Sequence, residues 1–108
     1  MTSVKRGEVW WAQWDPPIGR RPTVLLSRDA AYPVRLSITV APVTTRIRGI
    51  GTEVRLGPGD GLSRPCVVNL DDIDTIPKAR VLDYIATLTP QRMLAVEAAI
   101  RYALGFQT

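Results

Sequence analysis

A chain of 108 residues, 45% hydrophobic and 22% charged, is sized for one domain around one core and has the composition of a folded globular protein, not a disordered one. With no histidine and one cysteine, Cys66, it cannot form an internal disulfide and has no zinc or haem ligand set, so neither a metal nor another cofactor is expected. The formal net charge is +4, and 12 of the 14 basic residues are arginine, Lys5 and Lys78 being the exceptions.

No apolar run approaches the roughly 20 residues of a bilayer span. "MTSVKRGEVWW" has no apolar stretch behind its charges, so it does not read as a secretory leader. A cytoplasmic protein without membrane attachment is the expectation. The charge is uneven: residues 1–64 hold 10 basic and 5 acidic groups, residues 65–108 hold 4 and 5. Arginine presents a planar fork of donors that fits phosphate, so an arginine-rich N-terminal portion suits RNA or DNA. GC-rich coding would enrich arginine equally well, and composition alone does not separate the two.

In chain order, "EVWWAQW" (residues 8–14) has the aromatic and β-branched residues of a strand. "DPPIG" breaks it. Residues 23–27 form a short apolar strand, preceded by Arg20 and Arg21 as a charged turn. Residues 36–43 form a longer one, where Leu36, Ile38 and Val40 alternate with Ser37, Thr39 and Ala41 in the period of a half-buried strand. Residues 52–56 alternate again, and "GPGDG" follows as a turn. Further strand material lies at 66–70, 73–76 and 84–88, with room for one helical turn over 78–82. The last segment is helical: Thr89 is a good N-cap, Pro90 fits the first turn, and Gly105 sits where a C-cap glycine belongs. Met93, Val96, Ile100, Ala103 and Leu104 recur at helical spacing and give it a face to pack on the sheet. The whole chain, 1–108, reads as one mainly β domain: a small antiparallel barrel capped by a C-terminal helix. Helices do not alternate with strands, and no GxGxxG or GxxxxGKS is present.

Without histidine, a histidine-based triad or ribonuclease pair is unavailable. Cys66, in apolar "CVVNL", reads as a buried, inert thiol. Asp71, Asp72 and Asp74 lack the glycine and distal glutamate of a calcium loop and read as a solvated acidic turn, or as partners for nearby arginines. Arginine with hydroxyls remains. Arg20 and Arg21 start one strand and Thr44, Thr45 and Arg46 end another, so antiparallel neighbours would bring a guanidinium to a hydroxyl, a cradle for a phosphodiester. Of the three tryptophans, alternation puts Trp10 and Trp14 on one face and Trp11 on the other. At least one belongs to the core; one left exposed beside basic residues could stack on a nucleobase or pack on a partner subunit, and Trp14 is the candidate for stacking.

These motifs resemble the MazF/PemK toxins of bacterial toxin–antitoxin pairs. "KRGEVWWAQWDPP.G" is similar to the family's "RGDIYWADLDPxxG", "RRPTVLLS" to "xRPVLVxS", and "ITVAPVTT" to "VxVxPxTS". "CVVNLDDIDTIPKARV" is similar to "SVVLxxQIRTIDKxRL", and "IATLTPQRMLAVEAAIRYALGF" matches the closing strand and helix. The resemblance runs nearly end to end, with the motifs in order. It implies an SH3-like barrel of the CcdB/PemK type, usually a homodimer, and metal-independent, sequence-specific cleavage of single-stranded RNA, chiefly mRNA, to 2′,3′-cyclic phosphate and 5′-hydroxyl ends. It implies catalytic roles for Arg21 and Thr44, and control by a MazE-like antitoxin whose acidic tail covers the RNA groove. Arg20 matches no fixed motif position and is a backbone contact at most; Arg28, Thr45, Arg46 and Arg48 are further RNA-contact candidates. One departure stands out. The family's longer "GSEQxGxRP" loop, often carrying an acid, is here only "DPPIGR" (residues 15–20). A gyrase-poisoning toxin of the CcdB type and a non-catalytic RNA-binding barrel are the alternatives.

Overall fold

The computed structural model describes residues 3–106. Seven strands precede one helix: β1 (Glu8–Gln13), β2 (Arg20–Leu25), β3 (Ser37–Thr44), β4 (Glu53–Leu56), β5 (Cys66–Asn69), β6 (Asp74–Pro77), β7 (Val81–Thr87) and α1 (Pro90–Leu104). Every pairing is antiparallel, in the order β4-β5-β3-β2-β1-β7 with β6 also on β3. β3 is the hub. One of its edges carries β2; the other carries β6 along its first half and β5 at Val43 and Thr44. The sheet therefore curls around β3, as expected of a small barrel with a terminal helix.

Apolar residues cover both faces of this sheet. Val9, Val24, Ala41, Val43, Val54, Leu56, Val68 and Leu70 face α1, which contributes Val96 and Ala99. Trp10, Ala12, Trp14, Leu25, Ile38, Val40 and Ile76 form a second cluster with Tyr32, whose hydroxyl donates to the Ser27 carbonyl at 3.0 Å. β3 is consequently buried on both sides, and Ala41, expected on its polar face, is enclosed. Leu36 lies outside the strand and is exposed.

Element bounds differ most from those expected at the starts of β2 and β7. β2 begins at Arg20, three residues early, because Gln13 and Ala12 of β1 pair with Arg20 and Arg21 and draw both arginines into the ladder. β7 starts at Val81, because the helical turn ends at Arg80 as a 3-10 turn over Lys78–Arg80. The helix caps are as expected. The Thr89 hydroxyl accepts the Arg92 N–H at 3.2 Å, Pro90 occupies the first turn, and Gly105, at φ +74°, closes the C-terminus. Leu104 differs: one turn past the sheet contact it is exposed, and Ala99 takes the buried place.

Candidate active site

The register Thr23↔Pro42, Val24↔Ala41, Leu25↔Val40, continued two residues, sets Arg21 opposite Thr44. Opposed residues of an antiparallel pair project from the same face. Both side chains line a cavity of about 150 Å³ together with Pro42, Arg46, Arg48, Asn69 and Asp72. Arg21 is half-buried, and its guanidinium has no partner among the described residues, so its donors are free for a ligand. Thr44 Oγ1 accepts the Arg46 N–H at 3.1 Å, which orients the hydroxyl and leaves its hydrogen to donate. Beyond Thr44 the chain is held through its backbone: Arg48 and Gly49 N–H groups donate to Glu53 Oε1 at 3.0 and 2.9 Å. The Arg46 and Arg48 guanidiniums stay exposed. Three guanidiniums against one carboxylate give the cavity a net positive charge, suited to a phosphodiester.

Thr44 is shared with a second cavity of about 230 Å³, walled by Trp11, Pro22, Val43, Leu62 and Cys66 and rimmed by Thr45 and Arg64. Its walls are mostly apolar, and Trp11 is the half-buried aromatic among them. The Arg20 guanidinium lies 5.1 Å from the Trp11 ring centroid and pairs with Asp83 at 3.0 Å. Cys66 is 3% exposed, and burial pushes its thiol above the ordinary 9.0, so it is protonated and unreactive.

The structure thus gathers Arg21, Thr44, Arg46 and Arg48 in one cavity and Thr45 in its neighbour, and it engages Arg20 with Trp11 and Asp83. Arg28 sits beyond the opposite end of β2 from Arg21, at the start of the 3-10 turn Asp29–Ala31, and does not line either cavity. Trp14 is not available for stacking. It is 4% exposed, and its indole N–H donates to Thr23 Oγ1 at 2.9 Å, so both ring faces are enclosed. The aromatic surface on the cavity side belongs to Trp11. Asn69 and Asp72, which sequence reasoning did not place here, arrive from the end of β5 and the following 3-10 turn, Leu70–Asp72. The three neighbouring aspartates diverge: Asp71 accepts the Thr52 hydroxyl at 2.7 Å, Asp72 the Asn69 amide at 2.9 Å, and Asp74 the Thr75 N–H at 2.7 Å. Among the described residues none of the three pairs with an arginine, and no group of three or more potential ligands of a metal converges. Among the described residues no helix is long and apolar enough to cross a membrane.

Residues 5–104 match the family model described as "PemK-like, MazF-like toxin of type II toxin-antitoxin system". The chain is 45% identical over 100 residues to the probable endoribonuclease MazF5 of Mycobacterium tuberculosis, a match covering 92% of this chain and 91% of that protein. Among solved structures it is similar to the M. tuberculosis toxin MazF-mt6, with TM-score 0.87, 33% identity, and 94% and 99% of the two chains covered. It is also similar to a mycobacterial endoribonuclease in complex with its cognate antitoxin, with TM-score 0.85, 31% identity, and 97% and 98% covered.

Proposed function

The chain belongs to the PemK-like, MazF-like toxins of type II toxin–antitoxin systems, and from that premise we propose that it is a sequence-specific endoribonuclease that cuts single-stranded mRNA without a metal ion. The observation that carries this reading is the placement of Arg21 against Thr44, both with free donors, in a cavity flanked by two more guanidiniums. The 2′-hydroxyl beside the scissile phosphate attacks phosphorus, the 5′-oxygen leaves, and the ends are a 2′,3′-cyclic phosphate and a 5′-hydroxyl. Attack from within the substrate dispenses with an activated water, in keeping with a chain that has no histidine to activate one. Arg21 neutralises the charge that grows on the non-bridging oxygens, and Thr44 hydrogen-bonds and orients the phosphate. Arg46 and Arg48 hold the neighbouring phosphates. The apolar cavity across Thr44 receives an adjacent base against Trp11. A cognate antitoxin of MazE type, with an acidic tail laid over this basic groove, completes the system, and the toxin acts as a cytoplasmic homodimer.

The test is incubation of the purified protein with a long transcript in EDTA, followed by end mapping. Cuts within a recurring short sequence, with 5′-hydroxyl ends, are expected. Intact RNA, or cutting abolished by EDTA, overturns the reading.

A further inference from the structure

We propose that Asp72 takes the proton from the attacking 2′-hydroxyl. The inference rests on the endoribonuclease reading and deepens it by assigning the general base. Among the described residues lining the cavity with Arg21 and Thr44, Asp72 is the one carboxylate. The other polar groups there cannot serve: the guanidiniums of Arg21, Arg46 and Arg48 stay protonated, and the Thr44 hydroxyl and Asn69 amide are not bases near neutral pH.

A break in the edge of β3 brings Asp72 to this place. β5 pairs with β3 only at Val43 and Thr44, and β6 resumes at Val40, opposite Asp74. The 3-10 turn Leu70–Asp72 spans the gap beside Pro42, which has no N–H to offer a ladder. Asn69 fixes the turn from both sides: its Oδ1 accepts the Asp71 N–H at 3.0 Å, and its Nδ2 donates to Asp72 Oδ2 at 2.9 Å. Asp72 Oδ1 is left without a protein partner among the described residues and is the accepting atom. The rival acids are engaged elsewhere. Asp71 is turned to the Thr52 hydroxyl, and Asp15, the acid of the short β1–β2 loop, is held by Arg80 at 2.9 Å.

In the step itself, Asp72 Oδ1 takes the hydroxyl hydrogen as the 2′-oxygen bonds to phosphorus. The bond from phosphorus to the 5′-oxygen breaks, the leaving oxygen takes a proton from solvent, and Asp72 then releases its own. Protons balance and no water is consumed.

The experiment uses an oligoribonucleotide spanning a cut site mapped on the long transcript, with single-turnover cleavage followed at pH 7. The charged groups around Asp72 are Arg21 on β2, Arg46 and Arg48 on the β3–β4 loop, and Asp71 and Asp74 beside it in the chain. Asp72→Asn and Asp72→Gln should each lose about 10²–10³ in single-turnover rate. Asp72→Glu, which keeps a carboxylate, should stay within about tenfold of the wild-type rate. Affinity for the same oligomer carrying a 2′-deoxy nucleotide at the cut site should stay within about threefold of wild type in all variants. An Asp72→Asn or Asp72→Gln enzyme that cuts at the wild-type rate overturns the assignment alone. A wild-type protein inert on RNA overturns the ribonuclease reading and this assignment with it.

Discussion

Replacing Arg21 by alanine separates chemistry from folding unusually well. Its guanidinium has no partner among the described residues, and its place in β2 rests on backbone pairing with Ala12, which alanine keeps. The stability change is that of a strand residue at the mouth of the sheet, under about 1 kcal/mol, or less than about 8 °C in melting temperature for a domain of this size. Catalysis should suffer far more. Removing one preorganised donor from a developing oxyanion costs on the order of 10²–10³ in rate, about 3–4 kcal/mol, and a charged fork belongs at the upper end of that range. Arg21→Lys keeps the charge but loses the fork, and should recover about tenfold over alanine. Single-turnover cleavage of a labelled oligoribonucleotide at saturating protein measures the chemical step without binding, and circular dichroism melts report the fold. An Arg21→Ala protein that melts like wild type and cuts within about threefold of its rate would refute the role given to this guanidinium.

Trp11→Ala opens the apolar cavity while leaving Arg21 and Thr44 in place; KM for RNA should rise about 5- to 150-fold, the value of one base–aromatic stack, with a smaller change in kcat. Gly61→Ala should destabilise by roughly 2–4 kcal/mol in urea unfolding, since Gly61 has φ +91° and an added Cβ would stand 2.7 Å from Ala86 Cβ on β7. Gly19→Ala, also at positive φ but with open space around it, should cost only about 1 kcal/mol. Asp60 joins the turn after β4 to α1: Arg92 Nε and Nη2 donate to it at 2.9 and 3.3 Å, and the Gly57 N–H at 3.0 Å. The Arg92 hydrogen bonds, with help from Gly57, hold its carboxyl below the ordinary 3.8 against the opposing effect of burial. Its stabilisation is therefore complete above pH 3.8 and disappears as pH falls through the lower folded value. Asp60→Asn should lose about 1–2 kcal/mol at pH 7, discounted for the exposure of Arg92, and the gap to wild type in melts should narrow only below pH 4.

What was legible in the sequence was what local chemistry decides. Thr89, Pro90 and Gly105 mark the helix because caps are satisfied by neighbours in the chain. Alternation separated Trp10 and Trp14 from Trp11, but it could not tell which face stays open. That depends on the loop carrying Tyr32 folding over one side, and on Thr23 accepting the Trp14 indole. Arg20 and Arg21 looked like a turn because two guanidiniums carry no strand signal; only the β1 ladder makes them strand. Arg21 and Thr44 could be paired in advance because one antiparallel register relates them. Asn69 and Asp72 could not, because they reach the cavity through a third strand and a break in the edge of β3 that no periodicity encodes.

The short β1–β2 loop shifts the work of the proposed groove to other segments. Its charges are spent internally, Asp15 on Arg80 and Arg20 on Asp83 and the Trp11 ring, and Trp14 N–H to the Gly19 carbonyl at 2.9 Å closes it tightly. A loop folded back this way cannot reach across a bound strand of RNA. The segments that can are the β3–β4 loop with Arg46 and Arg48, and residues 62–66 with Leu62, Ser63 and Arg64. These two segments flank Thr44 on opposite sides, one at the phosphate cavity and one at the apolar cavity. On the proposed function, base preference therefore resides in Trp11, Thr45, Ser63 and Arg64, and backbone grip in Arg46 and Arg48. Exchanging residues 62–66 with those of a relative should change the cut sequence, whereas exchanging residues 15–19 should not.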